Sequence, residues 1–583
     1  MNILKYASQA AIALVMISGT AGCSFDDEPY DKLTDASIWK SDNLLDEYTT
    51  AWYSNMSGGW TLLLSSNWLM KNMSHVPDVF YSDQLTYGRS NMVNSGVGNF
   101  IKSQETTVTL YARNIWSSYY TQIQSINRLI GNEAQLPDTY KQHIMGEAHF
   151  FRAYYYYKLL QRFGAPLLID HNYDPLISDE KFPRATYAQA VDFIVNEAKT
   201  AAEMLPATQD SRNTGRVTKG AAIMLQAKAY FWAGSPQFQN KSKEYYGFTD
   251  DKSQEYMAKA IECYKELEGL GVYGLLPVSG STEKQIANSY HDLFLTHNSK
   301  EAILEYQHGE SKLTAEGAHS LDADGLPPSL TGTSCDYCPT QNHVDDYGMR
   351  SGYTYNDQDP YVGRDYRFYA NILYDGSEFR DSVMRIHYTI VNGKEKAANG
   401  LTKYGSSRNN GFTRTGYYMR KFMDPSIRIP YNDNEGSNQN YPIWRYAEAL
   451  LDHAEAAFRT GDAKTALTLV NQVRERVHMP ALTNVTLEDI LKERRVELAF
   501  EEAAYWDEIR LGKAFNDLNG STNPLRTVKI VYNTDGTKTY SYAAMEGQSD
   551  ERQFREYQYY LPIPWAEVRF QGIEQNEGWT EQE

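Results

Sequence analysis

The chain has 583 residues and a formal net charge of -18, from 56 Lys and Arg against 74 Asp and Glu. No segment clusters Lys and Arg, so nucleic-acid binding is excluded, because it needs dense cationic contacts to phosphate. A hydrophobic content of 42% with 46 Tyr and 10 Trp excludes disorder, and a chain this long forms one large domain or two interlocked ones.

Lys5 precedes an apolar run over residues 10–17, and Gly19, Thr20, Ala21 and Gly22 lead to Cys23, the layout of a secretory signal peptide over 1–22. The run is too short to span a bilayer. Ala21, Gly22 and Cys23 fit the end of a bacterial lipobox, with Thr20 where Leu is commonest, so Cys23 is the expected lipidation site. More than one acyl chain there gives stable anchoring; a plain signal peptide cut elsewhere is the alternative. Residues 23–40, with Asp26, Asp27, Glu28 and Pro29, read as a lipidated N-terminus and tether.

Residues 41–270 are expected to be helical, with helices over 45–56, 110–133, 138–163, 187–205, 219–233 and 253–269, each carrying apolar residues at three- and four-residue spacing. Gly164, Pro206 and the 234–236 turn mark stops. Consecutive amphipathic pairs suggest tetratricopeptide-like repeats. Residues 271–440 change to Gly, Asn, Asp, Ser and Tyr, a loop-rich insertion with extended candidates at 302–306, 368–374 and 385–391. Over 441–583 helices resume from 441 to 516, followed by a hairpin around Asp535 and Gly536. The fold class is mostly α, a tetratricopeptide-like helical-repeat scaffold with a loop-rich insertion containing short β-strands.

The four cysteines make no disulfide framework. Cys263 sits on a helical pattern as a small buried hydrophobe. Cys335 and Cys338 form C-D-Y-C-P in a loop, without the partner motif that zinc needs. A local disulfide is the favoured reading, two free thiols the alternative.

Five ordered segments are more particular than helix formation requires. They are GEAHFFRAYYYYKLLQRFGAPLLI (146–169), DPYVGRDYRFYANILYDG (359–376), YPIWRYAEALLDHAEAAF (441–458), ERRVELAFEEAAYWDEIRLGKAF (493–515) and YYLPIPWAEVRFQGIEQNEGW (559–579). Together they resemble the RagB/SusD-like family of Bacteroidetes outer-membrane nutrient-binding lipoproteins. Departures are Glu502 where the family prefers Gly, Leu511 where it often has Trp, Tyr366 for Pro and Glu577 for Pro. Within the fourth segment Arg494 and Glu497 stand one turn apart, a spacing that suits pairing. The motif residues Glu147, Arg152, Arg494, Arg495, Glu497 and Trp506 are read as holding helices together, not as a site.

The resemblance implies a SusD-like fold, export to the cell surface by the acidic run after Cys23, and capture of an oligosaccharide without catalysis. It also implies delivery to a SusC-like TonB-dependent transporter in the outer membrane, with the protein as a lid on the barrel. A peptide-binding member of the family, a surface glycoside hydrolase on a helical scaffold and an assembly adaptor are the alternatives.

No HExxH, GxSxG, GxxxxGK(S/T) or strand-framed GxGxxG occurs, so the common protease, hydrolase and nucleotide signatures are missing. No cofactor is implied, while structural calcium stays open at Asp345 and Asp346 or Asp357 and Asp359, which otherwise read as turn-forming carboxylates. Sugar capture asks for exposed rings beside amides, carboxylates or guanidinium groups. Two loops offer them: 58–87, with Trp60, Asn67, Trp68, Asp78, Tyr81 and Tyr87, and 290–355, with Tyr290, Asp336, Tyr337, Asn342, Tyr347, Arg350, Tyr353 and Tyr355. The candidate ligand-binding rings are Trp60, Trp68, Tyr81, Tyr290, Tyr337, Tyr347 and Tyr353, with core packing as the competing use of each.

Overall fold

A computed structural model describes residues 38–54, 56, 78–88, 102–173, 178–309, 319, 321–327, 330, 335, 337–398, 412–427, 437–545 and 552–581. The front half is helical where three- and four-residue periodicity places helices: α1 (Asp42–Ser54), α2 (Glu105–Gly131), α3 (Asp138–Phe163), α4 (Tyr187–Met204), α5 (Lys219–Ala233) and α6 (Ser253–Gly269). Thr186 caps α4 in a reciprocal box with Gln189, and Thr218 caps α5. Gly164 closes α3 at a φ of 73°, and a Cβ there would lie 2.6 Å from the Tyr245 carbonyl oxygen, so this position of the first segment requires glycine.

Helix α3 explains much of the tyrosine content. Phe150, Phe151 and Tyr154 to Tyr157 are buried on every side, the pattern of a helix enclosed by others. It packs on α2 and α4, α4 on α5, and α5 on α6. Neighbour-on-neighbour stacking of this kind is how a helical-repeat scaffold buries a continuous core. Helices make up about 47% of the described residues, and no described helix is long and apolar enough to cross a membrane.

The insertion contributes α7 (Glu283–His291), β1 (Ala302–Tyr306), α8 (Tyr366–Asn371), β2 (Tyr388–Val391) and β3 (Lys394–Ala397). The C-terminal part supplies β4 (Tyr441–Arg445), α9 (Tyr446–Arg459), α10 (Ala463–Arg476), α11 (Leu487–Glu497), α12 (Ala503–Arg510), β5 (Arg526–Tyr532) and β6 (Lys538–Ala544). Strands run in the order β6-β5-β2-β3, with β5 parallel to β2 and the other pairs antiparallel. The turn at Asp535 and Gly536 forms as expected, the Asp535 carboxylate accepting from the Thr537 amide at 3.0 Å.

Three expectations are corrected. Residues 441–445 are not helical but form β4, which pairs antiparallel with β1. Of the expected extended segment 368–374, residues 368–371 are helical, because the Asp365 carboxylate caps the backbone amide of Arg367 at 2.9 Å, while 372–373 pair as a strand with 418–419. The 493–515 segment is not one helix: α11 ends at Glu497 and α12 starts at Ala503, the break lying where Phe500 and Glu502 take φ values of 63° and 65°. The family's preferred glycine falls at that left-handed position. Replacing Glu502 by Gly removes a strain of about 1 kcal/mol and returns part of it as unfolded-chain entropy. An urea titration of Glu502→Gly should therefore give unchanged or slightly higher stability, by about 0.5 kcal/mol, whereas Glu502→Val should lose more than 1 kcal/mol.

The break lets the motif charges converge from separate elements. Arg494 and Glu497 do not pair with each other. Glu497 accepts from Arg367 (3.0 Å), Arg445 (2.7 Å) and Arg476, tying α8, β4 and α10 to α11. Arg494 reaches Asp452 and Asp507, and Arg510 joins Glu455 to Asp507. Near the front, Arg152 bridges to Glu197, and Arg216 bridges to Glu147. The motif residues thus clamp the insertion and the two helical parts into one body.

Candidate functional site

Four of the expected rings are core residues, and this corrects their reading as platforms. Tyr81 packs on Tyr505 with centroids 5.3 Å apart, and Tyr337 stacks on Phe80 at 5.6 Å. Tyr290 donates to the Glu497 carbonyl at 3.3 Å beneath the Arg476 guanidinium. The Tyr347 hydroxyl accepts from Asn371 Nδ2 at 2.9 Å and faces His343 Nε2 at 3.0 Å. None offers a ring face to a ligand. The disulfide is corrected too: the buried Cys335 and Cys338 sulfurs stand 3.8 Å apart, too far for an S–S bond. Cys23, Trp60 and Trp68 lie outside the described residues.

Tyr353 behaves differently. It is 48% exposed, and Tyr355, from the same loop, is 40% exposed. Their loop is closed at its base by an antiparallel bridge between Met349 and Arg364, with Arg350 N donating to the Gly363 carbonyl at 2.8 Å. Gly363 has a φ of 74°, and a Cβ on it would meet Tyr353 Cγ at 2.2 Å, so the base of the ring packs against bare backbone. The Arg350 guanidinium stands 4.9 Å from the Tyr353 centroid, 4.5 Å from that of Tyr366, and is ion-paired with Glu283 of α7. Arg364 stands 4.7 Å from the Tyr355 centroid, fixed by bonds to the Pro360 and Tyr347 carbonyls, both 2.8 Å. Each exposed ring therefore has a cation holding its position, which lowers the entropy lost when a ligand stacks on it.

Beneath the pair lies a buried aromatic bed of Tyr361, Phe368, Tyr369 and Tyr417. Beside it the β5–β6 hairpin presents half-buried Tyr540 and Tyr542. Tyr540 meets Tyr361 edge-on at 5.8 Å, and burial followed by the Asp359 and Asp375 charges pushes its hydroxyl up to about 12. Burial and the neighbouring Tyr355 raise Tyr542 further. The hairpin is pinned by Tyr532, which stacks on His387 at 3.8 Å and donates to Asp375 at 2.7 Å. Asn356, Asp357, Gln358 and Asp359 continue the loop, all exposed. The result is a fixed aromatic shelf edged by amides and carboxylates, the groups that accept and donate to paired hydroxyls.

Helix α7, which anchors Arg350 through Glu283, also walls a broad open cleft of about 770 Å³ lined by Ser279, Ser281, Gln285, Asn288, Ser289 and Asp292. A narrower cavity of about 70 Å³ borders Lys228, Arg494 and Asp507, so it belongs to the ionic frame. Among the described residues no three His, Cys, Asp or Glu side chains converge as a metal site.

A mostly helical body that lifts an arginine-backed aromatic shelf on its insertion has the architecture of a ligand-capturing scaffold. The family model described as the SusD family matches residues 300–579, and a second, described as starch-binding associating with outer membrane, matches residues 25–231. The chain belongs to the SusD/RagB family. A SusD-like protein of Bacteroides ovatus is 23% identical over 88% of this chain and 85% of its own length. The crystal structure of a SusD-like protein from Bacteroides fragilis superposes with a TM-score of 0.72 at 24% identity, covering 94% of this chain and all of that one. A laminarin-binding SusD-like protein gives 0.61 at 22% identity, covering 93% and 100%.

Proposed function

We propose that the protein captures an oligosaccharide on the Tyr353 and Tyr355 shelf, without cleaving it, and hands it to a SusC-like TonB-dependent transporter. It does so from the outer face of the outer membrane, held there through lipid on Cys23. The observation that carries the reading is the pair of exposed rings fixed over Gly363 and Arg364 beside a row of hydrogen-bonding side chains. The starch-binding, outer-membrane description of one matching family model and the laminarin binding in the name of one structural neighbour support it. Sugar C–H faces stack on the rings, and hydroxyl pairs bond to the loop amides and carboxylates. The affinity stays moderate, because a shelf buries one side of its ligand and leaves it free to depart.

The purified soluble body, presented with a panel of neutral and acidic glycans, should retain at least one and release no new reducing ends. Product formation would mark a hydrolase; retention of peptides alone would move the protein to the other ligand class. The full-length lipoprotein, extracted from outer membranes, should co-purify with a TonB-dependent barrel.

A further inference from the structure

We infer that the shelf selects uncharged oligosaccharides and rejects those bearing carboxylate or sulfate groups. This inference rests on the capture reading and concerns the class of sugar. The cations at the shelf lie behind the rings: Arg350 is paired with Glu283, and Arg364 is buried, its Nε and Nη1 donating to the Pro360 and Tyr347 carbonyls. The charges that face outward beside the rings are those of Asp357 and Asp359, both exposed and neither ion-paired to a described residue. Asp359 is close enough to Tyr374 and Tyr540 to raise both hydroxyl pKa values after burial. Asp345, near the hairpin, is exposed and shared with Arg526.

The neighbouring cleft repeats the pattern. Its lining mixes hydroxyl and amide groups with Leu276, Pro277 and Leu293, and Asp292 is its one charged residue. A ligand lying on the rings and extending along α7 thus meets exposed carboxylates and neutral acceptors, with the two shelf guanidinium groups largely buried behind the rings. Sugar hydroxyls donate well to carboxylates. A uronate or sulfate within a Debye length of about 8 Å of Asp357 and Asp359 is repelled, and the net charge of -18 adds to that field.

The test uses glucans, mannans and xylans, each as neutral parent, hydroxyethyl derivative and carboxymethyl derivative of the same backbone, titrated calorimetrically at 20 mM and 500 mM NaCl. For any backbone that binds, the carboxymethyl form should bind at least tenfold more weakly than the hydroxyethyl form at low salt, and the gap should narrow at high salt. The double variant Asp357→Asn/Asp359→Asn should close most of the gap while keeping the parent. A carboxymethyl form that binds as tightly as its hydroxyethyl partner overturns the inference, as does a gap that survives intact in the double variant. If no backbone binds, the capture reading itself falls and takes this inference with it.

Discussion

A Glu497→Ala chain is expected to lose about 3–5 kcal/mol of stability, the largest effect of any single substitution considered, read as a lowered urea midpoint and melting temperature with helical circular dichroism lost in one step. Glu497 is fully buried and accepts from Arg367, Arg445 and Arg476, so its removal takes the shared anion from three buried guanidinium groups and leaves their charge to Asp365, Glu493, Glu301 and Glu501. Native chains hold only about 5–15 kcal/mol in total, so the loss is a large share of what keeps the insertion docked. Glu497→Gln keeps the shape and some acceptors and should fall between the two. A melting temperature within a degree of the parent would show that the cluster is not what joins these elements. The same cluster sets the acid response. Burial alone would raise the Glu497 carboxyl, but Arg476, Arg445, Arg367 and Lys421 outweigh it and hold the pKa far below the ordinary range. Glu455, buried against Arg510, is held at about 2. Both folded values are depressed, so their stabilisation is complete above the unfolded glutamate value of about 4.3 and drains away as pH falls from there toward 2. Glu497→Gln should flatten that acid limb.

The helices of the front half were legible from apolar residues at three- and four-residue spacing, even in α3 and α5, which are buried nearly all round; α3, α5 and α6 end where their flanking Pro, Thr and Gly residues say they should. The motif segments were legible as a family signature, yet the partners of their charges were not. Spacing along one helix suggests Arg494 with Glu497, whereas the true partners come from α8, α9, α10, α12 and β4, an arrangement set by tertiary packing. Residues 441–445 read as helix because apolar side chains run into α9, and only pairing with β1 fixes them as a strand. One available signal went unused: Asn392 and Gly393, with φ values of 51° and 73°, make the two-residue turn between β2 and β3. Among the rings, composition cannot separate Tyr347 from Tyr353, six residues apart. The first faces inward to Asn371 and the second is thrown outward by the bridge from Met349 to Arg364. Tyr540 and Tyr542 reach the same surface from 187 residues beyond Tyr353 and Tyr355, through a parallel β2–β5 pairing that no local pattern announces.

Removing both outward rings, as Tyr353→Ala/Tyr355→Ala, should lower glycan affinity by roughly five- to hundredfold, about 1–3 kcal/mol for two stacking faces. The melting temperature should move little, since both side chains are 40% or more exposed and the loop is closed by its backbone bridge and the Arg364 bonds to carbonyls. Tyr353→Phe keeps the face and should keep most of the affinity, which separates stacking from any bond made by the hydroxyl. Tyr290→Phe and Tyr337→Phe alter rings of the same type that lie in the core, and affinity should stay at the parent value even where stability shifts. Calorimetric titration of the five proteins with one retained glycan distinguishes the cases. Full affinity in the double alanine variant, beside a loss in either core variant, would move the site away from this shelf. The contrast is informative because every protein in the series changes only tyrosine, so what differs between them is whether a ring faces water or the fold.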